Sequence, residues 1–141
     1  TEILMKNYAN PDGKVREDFP GGWPADQVNK FIPAGRNEKE NEAFNFVKTL
    51  ANYRKQNSVL QNGSMMQFVP ENGIYIYFRY NKEKTVMVVM NSNEKEEVLK
   101  TERFAERIGN YKSAKNIITN EKIAIETLKL PAKTTYIFEL Q

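Results

Sequence analysis

A chain of 141 residues has room for one ordinary domain or a small domain with an appendage, and 40% hydrophobic with 28% charged residues is a globular composition. It contains no cysteine and no histidine, which excludes disulfide scaffolds, thiolate metal sites, cysteine nucleophiles and His-dependent triads. The net charge of +3 comes from Lys and Arg interspersed with Glu, as in "NEKENE" and "NEKEEVLK"; that is a solvated surface rather than a nucleic-acid footprint, and no apolar run is long enough to cross a bilayer.

Thr1 is not an initiator methionine, so the sequence is expected to continue upstream, and nothing follows from the lack of a targeting segment. "TEILM" is a short apolar burst expected to be the tail of a buried strand. Residues Lys6 to Arg36 have neither helical nor strand period and form a loop far longer than the connections usual in compact domains. Its centre, "NPDGKVREDFPGGWP", carries three prolines, three glycines and the only Trp. Phe19, Trp23, Val28, Phe31 and Ile32 argue that this loop packs on something, because disordered segments are poor in aromatics.

A helix is predicted from Asn37 to Gln56. Asn37 is a cap, Glu40 completes a capping-box pair, and Arg54 and Lys55 suit the C-terminal dipole. Ala43, Phe44, Val47, Leu50, Ala51 and Arg54 fall at helical spacing, widened by Phe46 and Tyr53. From Gly63 onward the pattern changes to strands: "MMQFV", the alternating "GIYIYFRY", the continuous apolar "TVMVVMN" after a hairpin-like "NKEK" turn, then "EVLK". A short helical "ERFAERIG" precedes "KNIIT", "IAIETLKL" and "TTYIFEL". Short strands with polar turns predict a mainly β domain, an antiparallel sandwich.

The chemistry these residues offer is limited. All three aspartates, Asp12, Asp18 and Asp26, lie in the long loop, where "PDG" is itself a turn signal. Asp12 and Arg16 together present acceptors and a donor fork that suit sugar hydroxyls. Glu17 and Asp18 are adjacent in an extended loop and diverge, whereas glycosidase carboxylates flank one bond, so they are not a catalytic pair. Pro20, Gly21, Gly22 and Pro24 fix Trp23; anchoring the loop to its own scaffold is the favoured role, presentation to a ligand the other. Tyr75 and Tyr77 share a strand face with Arg79, either as a half-exposed core strand or as a stacking platform for sugars or single-stranded nucleic acid. No phosphate-cradling glycine loop and no EF-hand pattern is present, and neither metal nor cofactor is expected.

"TEILM", "D-G-K-V-R", "DFPGGWP" and "AFNFVKTLANYRKQNSVLQNG", in that order, resemble the C-terminal end of the α-amylase family of glycoside hydrolases, in its neopullulanase and cyclomaltodextrinase branch of bacterial starch utilisation. Thr1 and Glu2 match a motif that follows the eighth barrel strand; Leu50 and Arg54 match the end of the last barrel helix, and Leu60 and Gly63 the stretch that follows it. "FVPENGIYIYFRYNKEKTVMVVMNSNEK" and the closing "KNIITNEKI…LKLPAKTTYIFEL" are similar to the first and last strands of the family's C-terminal β-sandwich. The resemblance implies a remnant of a (β/α)8 barrel end over 1–62, with its loop and last helix, and a sandwich domain over 63–141. It implies that Asp12 and Arg16 hold glucose units of an α-glucan, that the sandwich stabilises the catalytic barrel, and that the parent is a retaining hydrolase in the periplasm or outside the cell. The family's catalytic carboxylates lie upstream, so this chain alone is expected to be inert. The alternative is a free-standing carbohydrate-binding module using Trp23, Tyr75 and Tyr77. No nucleic-acid or membrane partner is expected.

Overall fold

The computed structural model describes residues 2–6, 10, 13 and 16–141. They divide into two compact units, Thr1–Ala51 and Asn52–Gln141.

In the first unit, the described residues of "TEILM", 2–5, do not form a strand. Ile3 is buried in a turn, and Leu4, exposed, has φ 55°, a left-handed value that breaks extended backbone. A 3-10 turn, Pro33–Gly35, lies in the long loop just before helix α1 (Glu38–Gln56). The predicted capping box is formed: the Asn37 side chain accepts from the Glu40 amide and the Glu40 carboxylate accepts from the Asn37 amide, each at 2.9 Å. Glu38 and Glu40 in the first turn and Arg54 and Lys55 in the last complement the helix dipole. None of the residues of α1 is buried, although its stripe is apolar; Phe46 and Val47 are exposed.

A short helix α2 (Ser58–Gln61) follows, unmarked by any periodicity in so few residues. It leads through Gly63 into β1 (Ser64–Gln67), shorter than the predicted "MMQFV". At Gly63 a Cβ would lie 2.3 Å from the Val59 carbonyl oxygen and 2.9 Å from that of Tyr80, so only glycine permits this approach.

The remaining strands are β2 (Ile74–Tyr80), β3 (Thr85–Asn91), β4 (Glu97–Lys100), β5 (Ser113–Asn116), β6 (Lys122–Ala124), β7 (Thr127–Leu130) and β8 (Thr135–Leu140). A 3-10 turn, Glu102–Phe104, and helix α3 (Ala105–Ile108) sit between β4 and β5, where the sequence indicated helix. Six strands form an antiparallel sheet in the order β1-β2-β3-β8-β5-β6, faced by the pair β4-β7. The continuous apolar run of β3 lies inside the larger sheet, buried on both sides, as a central strand requires. The hairpin before it closes on Asn81, whose side chain accepts from the amides of Glu83 and Lys84.

Two strand expectations need correction. "IAIETLKL" is two strands, β6 in the larger sheet and β7 in the smaller, because the chain changes sheets at Ile125–Glu126. Thr101 holds that corner, its amide and hydroxyl reaching the carbonyls of Glu126 and Ile125 at 3.1 and 2.7 Å. The strand read over "KNIIT" begins earlier and stops at Asn116. That side chain accepts from the Ile118 amide at 2.9 Å, and Asn120, at φ 63°, completes the turn into β6.

The pleat sorts side chains to two faces. Ile76 and Phe78 of β2 stand beside Val89 and Met87 of β3 and join Phe138, Leu140, Leu128, Leu130 and Phe104 in one buried core. Tyr75 and Tyr77 stand beside Met90 and Val88 on the other face. One buried polar side chain closes the end of the sandwich: Asn91 donates to the carbonyls of Lys95, Leu130 and Pro131 at 2.9–3.0 Å, so its burial is compensated.

Candidate functional site

The first candidate is the long loop, and its geometry begins with Gly21. At φ 106° it adopts a conformation that L-residues avoid, and a Cβ there would meet the Cα of Asn29 at 2.8 Å. The Asp26 carboxylate accepts from the amides of Gly21 and Trp23 at 2.6 and 3.1 Å. Those bonds, Trp23's first and then Gly21's, hold its carboxyl below the ordinary carboxylate range. Asp18 accepts from the indole N–H of Trp23 at 3.1 Å, and Phe19 packs on Phe31 with centroids 4.5 Å apart. Asp18 and Asp26 thus shape the turn around Trp23, as the preference of Asp for turns suggests.

The loop is pinned at its far end by a residue that sequence reasoning passed over. The buried guanidinium of Arg36 donates to the carbonyls of Lys30 and Phe31 at 2.7 and 3.3 Å and to the Asn41 side chain at 2.9 Å. It also lies 3.8 Å from the Phe44 ring centroid. Lys30 and Glu40 add an ion pair, and Lys30 first and the Asn37 amide second keep the Glu40 carboxyl below its usual range. No local periodicity marks Arg36; only the folded loop brings its acceptors together.

Asp12 lies outside the described residues. Arg16 is exposed, and its amide donates to the Gly13 carbonyl at 3.2 Å. Trp23 is not an anchor in this structure: it is 62% exposed, its indole held within the loop by Asp18.

The second candidate is the aromatic strand. Tyr75 and Tyr77 lie side by side with ring centroids 5.8 Å apart and planes inclined by 38°, both half-buried, and the Tyr75 hydroxyl donates to Gln67 at 2.7 Å. Arg79 is on the same face but turns away, donating to the Gly63 carbonyl at 2.8 Å. The expected tyrosine–arginine platform is therefore a pair of tyrosines with one glutamine.

The same face carries a polar cluster at its other end. The Tyr53 hydroxyl donates to Glu139 at 2.6 Å, and Lys84 bridges Glu139 and Asn57 at 3.0 and 2.8 Å. Burial, and then the bond to Glu139, raises the Tyr53 phenol well above its ordinary value. Burial works to raise Glu139, but the bonds from Tyr53 and Lys84 and the charges of Lys84 and Lys115 outweigh it and hold the carboxyl low. Among the described residues no group of three or more acidic side chains is placed to hold a metal ion.

Fold and site together define a β-sandwich domain accompanied by a loop-and-helix unit, with sugar-compatible side chains and no catalytic constellation among the described residues. The family model for the cyclo-malto-dextrinase C-terminal domain matches residues 65–139, which span β1 to β8. The chain therefore belongs to that family, a β-rich C-terminal domain of α-amylase-family glycoside hydrolases. A cyclomaltodextrinase of Thermoanaerobacter pseudethanolicus is 35% identical over 63 residues, which is 44% of this chain and 11% of the relative. Among solved structures, an alpha-amylase from Geobacillus thermoleovorans complexed with acarbose superposes with a TM-score of 0.68 at 16% identity, covering 99% of this chain and 28% of that one. AmyP in complex with maltose gives 0.62 at 15% identity, over 74% of this chain and 21% of that one. This chain thus spans between about a tenth and three tenths of the length of these relatives.

Proposed function

We propose that this chain is the non-catalytic C-terminal portion of an α-glucan hydrolase acting on starch, maltooligosaccharides or cyclodextrins. Residues 1–62 are the end of a (β/α)8 barrel, and residues 63–141 are a sandwich that stabilises it. The observation that carries this reading is the apolar face of α1. Among the described residues, Ala43, Phe46 and Val47, with Leu4, line an open depression beside Lys39 and Glu42. An amphipathic helix gains most of its stability by burying such a face, so this stripe is built to be covered, and the rest of a barrel is the cover the family supplies. The loop then takes its place at the C-terminal end of the barrel, where barrel enzymes bind substrate, with Asp12 and Arg16 as glucose-holding residues.

The test compares this chain with one extended upstream by a barrel. Only the extended chain releases sugar from maltoheptaose, and Arg16→Ala in it raises KM by about tenfold, the loss of one charge-assisted contact. Sugar release by the 141-residue chain itself, or an Arg16→Ala chain with unchanged kinetics, refutes the reading. A second reading, a carbohydrate-binding module working through Trp23, Tyr75 and Tyr77, is favoured by the exposure of Trp23 alone. It requires that Trp23→Ala abolish maltooligosaccharide binding by the isolated chain.

A further inference from the structure

A two-stranded sheet cannot cover a six-stranded one, and along β4 the gap is a groove of about 240 Å³. Its apolar floor includes Phe68 and Ile74, and its rim carries Glu71, Glu97, Lys100 and Arg103.

Three features make this a built site. The floor is rigid: Phe68 meets Phe104 and Phe78 edge-on, with centroids 4.9 and 5.9 Å apart. The rim is held in place, since Arg103 pairs with Glu71 at 2.7 Å and donates to the Val69 carbonyl at 3.1 Å; Glu97 lies 3.5 Å from Lys95. Finally, β4 pairs only with β7, leaving its other edge toward the groove. The bond from the Thr101 amide to the Glu126 carbonyl sets the antiparallel alternation, so Glu97 and Leu99 bond to β7 and the peptide groups of Val98 and Lys100 face outward. Donors and acceptors are therefore mixed within one small concavity.

The charges select the ligand class. Two carboxylates stand against two cations on the rim, so the site has no net attraction for a nucleotide or polyanion. A neutral polyhydroxy ligand, with one apolar C–H face and hydroxyls around its edge, matches an apolar floor under a mixed polar rim. The volume is a little under the ~300 Å³ where pockets for small molecules begin, which suits one sugar ring rather than a long chain.

We propose that this groove is a second α-glucan contact on the sandwich: it takes one pyranose ring of a maltooligosaccharide over Phe68, with hydroxyls directed to the Glu71–Arg103 pair, Glu97 and Lys100. The inference rests on the α-glucan reading above for its choice of sugar, and it uses none of the residues of the loop or the tyrosine pair.

The experiment is an amide chemical-shift titration of the 141-residue chain with maltotriose. Saturable shifts at residues 68–74 and 97–104, with a Kd on the order of 1–10 mM, are expected of a single-ring contact. Lys100→Ala and Glu97→Gln, both at an open strand edge, weaken that Kd by about tenfold while leaving the spectrum folded. Silence of these residues at about 50 mM maltotriose, shifts confined to the loop or to Tyr75 and Tyr77, or an unchanged Kd in both variants overturns the proposal. Failure of the hydrolase reading shows separately, as absence of cleavage by the upstream-extended chain; groove shifts in that case leave the sugar site standing.

Discussion

Replacing Tyr53 with Phe removes one hydroxyl and nothing else, and the structure sets what that should cost. The hydroxyl donates at 2.6 Å to the Glu139 carboxylate, whose side chain retains 21% of its exposure. A hydrogen bond to a charged acceptor is worth about 1.5–3 kcal/mol when buried, and the remaining solvent access brings this one to the lower end, about 1.5 kcal/mol. Lys84 contributes less to the cluster, because its side chain is 40% exposed and surface pairs are weak. Tyr53→Phe should therefore lower the urea midpoint by roughly 1 M at pH 7. Far-UV circular dichroism is the appropriate monitor, since Trp23 lies in the other unit and is already exposed. The sign with pH follows from Glu139: its folded carboxyl is held below the unfolded value of about 4.3, so between the two the unfolded chain binds more protons. The stabilisation is complete above the unfolded value and is lost as pH falls through the folded one. The gap between wild type and Tyr53→Phe should then shrink to about half, because a neutral carboxyl accepts a weaker bond. A gap under about 0.3 kcal/mol at pH 7, or one that does not shrink as pH falls through the folded Glu139 value, refutes this account of the cluster.

Phe78→Ala empties a site with no solvent exposure at the centre of the core and should cost about 3–5 kcal/mol, read by the same denaturation. Asn37→Ala removes the cap of α1 and should cost the helix about 1 kcal/mol, seen as faster amide exchange in its first turn. Paired Phe46→Ser and Val47→Ser substitutions should leave the melting temperature of the isolated chain unchanged and reduce its self-association in sedimentation, since both side chains are exposed. Asp26→Asn should alter Trp23 fluorescence at neutral pH. In the unmodified chain the same change should appear only as pH falls through the lowered Asp26 value, because the carboxylate form holds the turn.

The elements that sequence reasoning placed best are those whose signals are local. The Asn37–Glu40 box, the alternation of β2, the apolar run of β3 and the Asn81 turn each depend on side chains within a few residues of one another, so their physics is present in the string of letters. The order of motifs likewise pointed to the family, because it is read along the chain without any contact between distant segments. The misses share the opposite property. "IAIETLKL" alternates as one strand should, yet Thr101, distant in sequence, bonds across Ile125 and Glu126 and turns the chain from one sheet into the other. "TEILM" is apolar enough for a strand, but Leu4 leaves the extended conformation.

The site divides along the same line. That Asp18 and Asp26 serve the turn around Trp23 was legible, because Asp and Gly in a short span carry their own geometry. The Arg36 staple, the Tyr53–Glu139–Lys84 cluster and the groove beside β4 were not, since each joins groups that only folding brings together. By itself, then, the sequence determined the kinds of elements, the two-faced character of the central strands and the absence of cysteine and histidine chemistry. Which strand joined which sheet, and therefore where a narrow sheet left a groove on a wide one, was decided by tertiary structure, because strand pairing is a contact between distant segments whose register no local pattern specifies.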